Sequence, residues 1–212
     1  MFSKILKSTM VAALAGGLFT GAVQAYEAGN WLVRAGVWGI YPESDNLTFN
    51  VNRRTRATLD VDDGYSLGFN ITYMVNPNIG IELLGAWPFK HDISMTGAGK
   101  VAETKQLPPT LFVQYHFMPS GTIHPYVGVG LNYTNFFSEK TKGALSGASL
   151  KLEDSWGAAG QLGIDIDVAP NWFVNADISY MNIETDAKVN GVGIGTVKIN
   201  PWVVGLNVGT RF

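Results

Sequence analysis

Bulky apolar residues alternate with small or polar ones along eight segments of this chain, and this pattern constrains the fold more than any other feature. In the clearest segment, Tyr65 to Val75, every odd position is aliphatic or aromatic, while the even positions are Ser, Gly, Asn, Thr and Met. A β-strand sends successive side chains to opposite faces, so a period of two predicts a strand with one apolar face. The other seven segments lie at 31–41, 79–87, 111–117, 127–133, 156–166, 172–180 and 202–212.

The composition indicates where these strands belong. Hydrophobic residues make up 46% of the chain, yet after residue 25 no apolar run approaches the roughly 20 residues of a spanning helix. A closed barrel pairs its backbone groups within a membrane and turns alternate side chains toward lipid. We therefore predict an all-β fold, an eight-stranded antiparallel up-and-down transmembrane β-barrel over residues 26–212. The alternative, a soluble barrel or sandwich, would expose a large apolar surface.

The lengths of the connections predict how the barrel is oriented. Those at 76–78, 118–124 and 169–171 are short, whereas those at 42–63, 89–106, 138–149 and 184–198 are long. Short turns face the periplasm in such barrels. With that orientation the outward aromatic residues fall at two levels, as expected for the girdles at the two membrane interfaces.

The N-terminus resembles a secretory signal. Lys4 and Lys7 precede a short apolar core, and Val23-Gln24-Ala25 forms a small-residue cleavage site. A membrane anchor is the alternative, but the core is too short to span. We expect cleavage of residues 1–25 and an integral protein of the outer membrane of a Gram-negative cell.

There are no cysteines, which excludes disulfides and thiol catalysis. A net charge of −2 with scattered basic residues argues against a nucleic-acid partner.

Residue parity also predicts what faces the lumen. The lower half is polar and ionic: Arg34, Asn70, Glu82, Gln114, His116, Asp165, Asn175, Asp177, Asn207 and Arg211. The upper half is apolar with small residues between: Trp38, Ile40, Leu84, Ala86, Phe112, Phe136, Met181, Ile183 and Val203, with Gly68, Ser155, Gly157 and Ser179. An eight-stranded barrel is only wide enough for side chains or one small ligand, so we expect no continuous aqueous pore.

We expect the charged residues to form a floor by pairing with one another, because unpaired buried charge is costly. This ionic floor consists of Arg34, Glu82, Asp165, Asp177 and Arg211. An ion-selective path is the alternative. Above a sealed floor, a hydrophobic solute that enters the apolar lumen from outside would leave sideways into lipid. The predicted solute path is Trp38, Ile40, Leu84, Phe112, Phe136, Ser179 and Met181.

Three prolines mark a candidate for the lateral exit. Pro88 ends the third strand, and Pro108 and Pro109 begin the fourth. Proline cannot donate a ladder hydrogen bond. Three missing donors therefore cluster near the outer leaflet on the seam between the third and fourth strands, which are neighbours in the barrel. The alternative is that these prolines merely end the strands as they leave the membrane.

Six ordered stretches resemble the outer-membrane protein W family. They are NIGIELL at 78–84, LPPTL at 107–111, PYVGVG at 125–130, NYT at 132–134, DSWGAAG at 154–160 and PW at 201–202. The resemblance spans nearly all of residues 26–212 and implies a narrow eight-stranded barrel linked to uptake of small hydrophobic compounds. Leu84 matches a family constriction residue, but Ser179 stands where relatives place a second one, a Trp. The chain's end, with Phe212 and alternating apolar residues before it, resembles the signal by which the barrel-assembly machinery recognises such barrels, although Thr210 stands where an aromatic is usual.

Two other functions compete with an outer-membrane channel for hydrophobic molecules. An enzyme is one alternative, because eight-stranded barrels can carry catalysis and the chain has three histidines. His91, His116 and His124 lack metal-ligand spacing, however, and His91-Asp92 with Ser94 is not evidence of triad geometry. We expect no enzyme, metal or cofactor. A surface receptor or structural barrel acting through its extracellular loops is the other alternative. Its candidate is the 42–63 connection, which carries Arg53, Arg54, Arg56, Asp60, Asp62 and Asp63.

Overall fold

The computed structural model describes residues 25–43, 46–52 and 55–212. The predicted signal up to residue 24, together with Arg53 and Arg54, lies outside these residues, so signal cleavage stays a prediction. No helix in the described ranges is long and apolar enough to cross a membrane.

Fifteen strands run through the described chain. They are β1 (Trp31–Tyr41), β2 (Leu47–Asn52), β3 (Thr55–Val61), β4 (Gly64–Asn76), β5 (Ile79–Ala86), β6 (Phe89–Met95), β7 (Gly99–Leu107), β8 (Thr110–His116), β9 (Ile123–Thr141), β10 (Leu150–Leu152), β11 (Ser155–Ala169), β12 (Trp172–Met181), β13 (Glu184–Val189), β14 (Val192–Lys198) and β15 (Trp202–Arg211). A short 3₁₀ turn, Gly143–Leu145, follows β9.

Eight of these strands close into the predicted barrel. Their order is β1-β4-β5-β8-β9-β11-β12-β15, and β15 pairs back onto β1, with every neighbouring pair antiparallel. The chain end seals this closure, because the amide of Phe212 donates to the Trp31 carbonyl and the Trp31 amide donates to Phe212. The eight-stranded fold is confirmed. Recognition of Phe212 by assembly machinery stays a prediction.

The outward residues form the apolar surface that the alternation predicts. Leu67, Val129 and Leu162 are more than half exposed although each lies within a barrel strand. Aromatic pairs flank this band: Trp31 contacts Tyr73 at one end, while Tyr133 contacts Trp156 and Tyr180 contacts Trp202 at the other. Such a surface is stable only against lipid.

The long connections are folded hairpins, which the sequence reading missed. β2, β3, β6 and β7 form a ribbon that joins the upper part of β9, and β10, β13 and β14 form a second small sheet. We call these strands, with the upper part of β9, the extracellular extension. The alternation in them is short and mixes apolar with polar residues, so it resembled a polar loop. Asn46 links the two sheets, since its side chain accepts from the Val61 amide and donates to the Lys198 carbonyl.

Large inward rings fit into the barrel because glycines face them. Gly163 lies opposite Tyr126 across the β9–β11 ladder. A Cβ atom at Gly163 would come within 2.2 Å of the Tyr126 ring. Asn175 donates to the hydroxyl of that ring at 3.0 Å, so the ring has little freedom to move aside.

This fit predicts that Gly163→Ala lowers the free energy of unfolding by about 1–3 kcal/mol, the usual cost of overpacking. Gly160→Ala is the matched control, because Gly160 lies on the same strand and a Cβ there meets nothing within 4 Å. Urea unfolding of both variants in lipid vesicles measures the difference. Equal stability of the two variants would contradict the packing described here.

Candidate functional site in the barrel lumen

Arg34 lies at the centre of the ionic floor, fully buried with both of its carboxylate partners. Its Nη2 and Nε atoms lie 2.6 and 2.9 Å from the two carboxylate oxygens of Asp165. Its Nη1 atom lies 3.3 Å from Glu82 and donates to the Thr72 hydroxyl at 2.8 Å. Two-point pairing of this kind is the strong form of the guanidinium–carboxylate contact. The predicted pairing of Arg34 with Asp165 and Glu82 is therefore present.

Neighbouring polar groups complete the network around this arginine. Gln161 donates to Glu82 at 3.0 Å, and Gln114 donates to Gln161 at 2.8 Å. The hydroxyl of Tyr26, the expected first residue of the mature chain, donates to Asp165 at 2.8 Å. The parity argument did not name Tyr26 or Gln161. Gln161 was predictable, because it occupies an inward position in the alternation of its strand. Tyr26 was not, because it lies before the first strand, where no alternation indicates which way its side chain points.

Arg211 and Asp177 differ from the predicted pairing. The guanidinium of Arg211 lies 2.6 Å from Asp167, which is also 3.3 Å from His124. The alternation predicts a strand only as far as Ile166, but β11 continues to Ala169, so Asp167 faces inward below Asp165 at the level of Arg211. Asp177 accepts a hydrogen bond from Asn207 at 3.0 Å instead of an ion pair, because the Arg34 guanidinium points toward Asp165.

The predicted solute path is one buried apolar region above this floor. Trp38, Ile40, Leu84, Phe112, Phe136 and Met181 belong to a single cluster, and Ser179 is buried among the inward residues of β12. The Trp38 indole donates to Asn207 at 2.7 Å, and its ring fills the space where a Cβ of Gly68 would lie. Trp38 therefore separates the apolar upper lumen from the polar groups below.

The apolar cluster continues upward into the extracellular extension. Leu59, Val61, Ile93, Val101 and Leu152 belong to the same cluster as the upper lumen. Between the two hairpin sheets lies a small cavity of about 30 Å³. Its described lining is aliphatic except for His91, Thr104 and Gln106. Sequence analysis missed this region, although the apolar parity of 89–93 was a usable signal.

His91 and Gln106 form a defined polar pair in that cavity. His91 Nδ1 lies 2.7 Å from the Asp62 carbonyl oxygen, so Nδ1 carries the proton and Nε2 accepts from the Gln106 amide at 3.1 Å. Burial lowers the pKa of His91, which favours this neutral form. His91 faces inward, whereas the adjacent Asp92 faces outward and binds Lys100. His116 and His124 lie in the floor beside Tyr26, so the three histidines share no site.

The proline seam interrupts the ladder between two barrel strands. Pairing of β5 with β8 ends at Leu84 and Thr110. Pairing resumes beyond the prolines, between β6 and β7, at Phe89 and Gln106. Between these points the two segments bond to strands other than each other. The Trp87 amide donates to the carbonyl of Leu67 in β4, and the amide of Tyr133 in β9 donates to the Pro109 carbonyl. On the lumen side, Asn132 and Thr110 donate to the carbonyl of Pro108.

The floor predicts a large loss of stability for Arg34→Met. Removing this guanidinium leaves Asp165 and Glu82 buried without a cation, which costs about 3–5 kcal/mol. Lys198→Met is the control, since it removes an exposed ion pair with Glu184 and such a pair contributes less than about 1 kcal/mol. Denaturant unfolding in lipid vesicles gives both values. A small effect of Arg34→Met would contradict the role assigned to the floor.

No group of three or more His, Cys, Asp or Glu side chains is placed to hold a metal ion in the described ranges.

Comparison with known proteins identifies the family. The OmpW family model matches residues 27–212. Outer membrane protein W of Vibrio cholerae serotype O1 is 41% identical over 213 residues, covering 94% of this chain and 96% of that protein.

Two further comparisons extend this result. The crystal structure of the outer membrane protein OprG from Pseudomonas aeruginosa superposes with a TM-score of 0.78 at 36% identity, covering 90% of this chain and 99% of that one. A more distant relative from Pseudomonas aeruginosa, 27% identical and covering 76% of this chain and 77% of its own, is named dibenzothiophene metabolism operon protein PahQ. The chain is an outer-membrane β-barrel and belongs to the OmpW family.

Proposed function

We propose that this protein is an outer-membrane channel for small hydrophobic molecules, which enter from outside and leave sideways into the membrane. The observation that carries the proposal is the continuity of the apolar cluster from the extension to Trp38, directly above a floor of paired charges. Apolar walls lower the free energy of an apolar solute relative to water. The ionic floor below offers an apolar solute no favourable contacts, so in this proposal the route does not continue down the barrel axis.

The interrupted seam supports the direction of exit. Apolar side chains on both faces of the seam, Leu84 inside and Trp87 outside, give an apolar molecule a surface on either side of the gap. Pro88, Pro108 and Pro109 supply no amide donors that would close it. The name of the relative PahQ associates that protein with the metabolism of dibenzothiophene. This is an apolar aromatic compound of the class we propose for the present channel.

A series of solutes tests the channel itself. In proteoliposomes containing the full barrel, we expect uptake to rise with solute hydrophobicity among molecules of similar size, and Leu84→Asp to reduce it because a carboxylate enters the apolar path. Leu206→Ala, on the outward lipid-facing surface, is the control. Faster uptake of charged than of apolar solutes would refute the apolar path.

The lateral route has a separate test. Replacing Pro108 and Pro109 with alanine restores two amide donors on the seam, so we expect uptake of an apolar fluorescent probe to fall severalfold. Pro170→Ala, in a short turn at the opposite end, should leave uptake unchanged. Uptake that survives the double substitution would refute the lateral exit and leave the apolar entrance intact.

A further inference from the structure

Five lysines gather on the outer face of the ribbon formed by β6, β7 and the upper part of β9. Residues paired directly across a ladder share a face, and the pairs here are Lys90 with Lys105, Asp92 with Glu103, and Glu103 with Lys140. Lys100 and Lys142 reach the same carboxylates from the ends of the ribbon. The face therefore carries five cations and two anions.

The two carboxylates already have cationic partners. Glu103 lies 2.5 Å from Lys100, 2.5 Å from Lys142 and 3.3 Å from Lys90. Hydrogen bonds from Lys100 and Lys142 lower the pKa of Glu103 to about 2. Asp92 is bound by Lys100 at 2.7 Å. Within the described ranges neither Lys105 nor Lys140 forms an ion pair, so positive charge on this face exceeds negative charge by three.

The pairing of the strands brings the lysines of this face close together. Lys90 and Lys105 lie directly opposite each other, an arrangement in which like charges repel. Between Glu103 and Lys105 the ladder shifts register, so that β9 gains an extra residue. Ser138 in this bulge has a φ of 58°, which is uncommon for a residue other than glycine. The bulge turns Lys140 onto the outer face, whereas strict alternation from the inward Phe136 would turn it inward.

The result is a groove at the height of lipid headgroups. Its volume is about 300 Å³, and Lys90, Glu103, Thr104, Lys105, Ser138 and Lys140 line it. Lys90 follows Trp87, an exposed residue of the upper aromatic girdle, by three residues, and Lys105 precedes Pro108 by three. At roughly 3.3 Å per residue, the groove begins about 10 Å along the strand from the aromatic girdle. Girdle aromatics mark the membrane–water interface, so these ammonium groups reach the headgroup layer.

We propose that this groove binds the phosphate groups of a phosphorylated glycolipid headgroup in the outer leaflet. Lysine ammonium groups bind phosphate as point charges, and a phosphate between Lys105 and Lys140 offsets the excess positive charge on this face. The lipid is favoured over a soluble anion because the groove lies above the apolar lipid-facing surface, so that acyl chains can lie against that surface while the headgroup reaches the lysines.

The test is titration of the purified full barrel in phosphatidylcholine nanodiscs with fluorescent bisphosphorylated lipid A, followed by anisotropy. We expect Lys105→Gln combined with Lys140→Gln to weaken binding at least about tenfold, because lysines near an anionic surface each add to the attraction. Lys151→Gln combined with Lys198→Gln removes the same charge from the other hairpin sheet and should leave binding unchanged. Lipid A stripped of both phosphates should not distinguish the two double variants.

Other outcomes overturn the proposal. Equal weakening by both double variants would mean that net charge, and not this groove, attracts the lipid. If inorganic phosphate displaces labelled lipid A at concentrations similar to those of the lipid itself, the groove is a free-phosphate site. Heat-modifiable migration on gels verifies folding of each variant, and Lys140→Gln alone provides the same comparison if the double variant does not fold.

Discussion

The need to pair every backbone amide and carbonyl inside lipid is the constraint on which the rest of this structure depends. Eight strands meet it by closing β15 onto β1, and the terminal residue Phe212 completes the last pair with Trp31. Closure at eight strands in turn fixes the lumen at a width that side chains fill. The chemistry of the lumen is therefore the chemistry of the residues that face inward, and a lumen of this width can hold at most one small ligand at a time.

Within that narrow lumen, polar and apolar residues are separated by height. Arg34 and its partners occupy the lower part as a connected ionic network, and Trp38 with its apolar neighbours occupies the upper part. Each half is stable for a different reason: buried charges need partners, whereas apolar side chains need one another. The boundary is a single indole that donates to Asn207 and lies against Gly68.

Exceptions to the regular ladder lie where the barrel meets its surroundings. The prolines at 88, 108 and 109 interrupt the β5–β8 ladder near the outer girdle, and the bulge at Ser138 turns a lysine outward just above it. Both depart from ideal pairing near the outer aromatic girdle. An open strand edge deeper in the membrane would leave backbone groups unpaired in hydrocarbon and would be unstable.

The sequence alone determined the barrel and the content of its lumen. A period of two is a local property, so strand number, lipid-facing residues, and inward residues such as Arg34 and Phe112 followed from parity. The family resemblance implied a role in the uptake of small hydrophobic compounds, but it predicted none of the hydrogen bonds in the lumen. Partner choice inside the lumen was not predictable, because Asp167 and not Asp177 meets Arg211 only once strand ends and register are fixed.

Only the tertiary structure decided how the long connections fold and which charges they bring together. Apart from 89–93, the alternation in their strands is short and interrupted by polar residues, so periodicity alone does not distinguish them from loops. Lys90, Lys105 and Lys140 are far apart in the chain and meet on one face through two ladders and one bulge. Such contacts arise from pairing between distant segments, which no local pattern encodes.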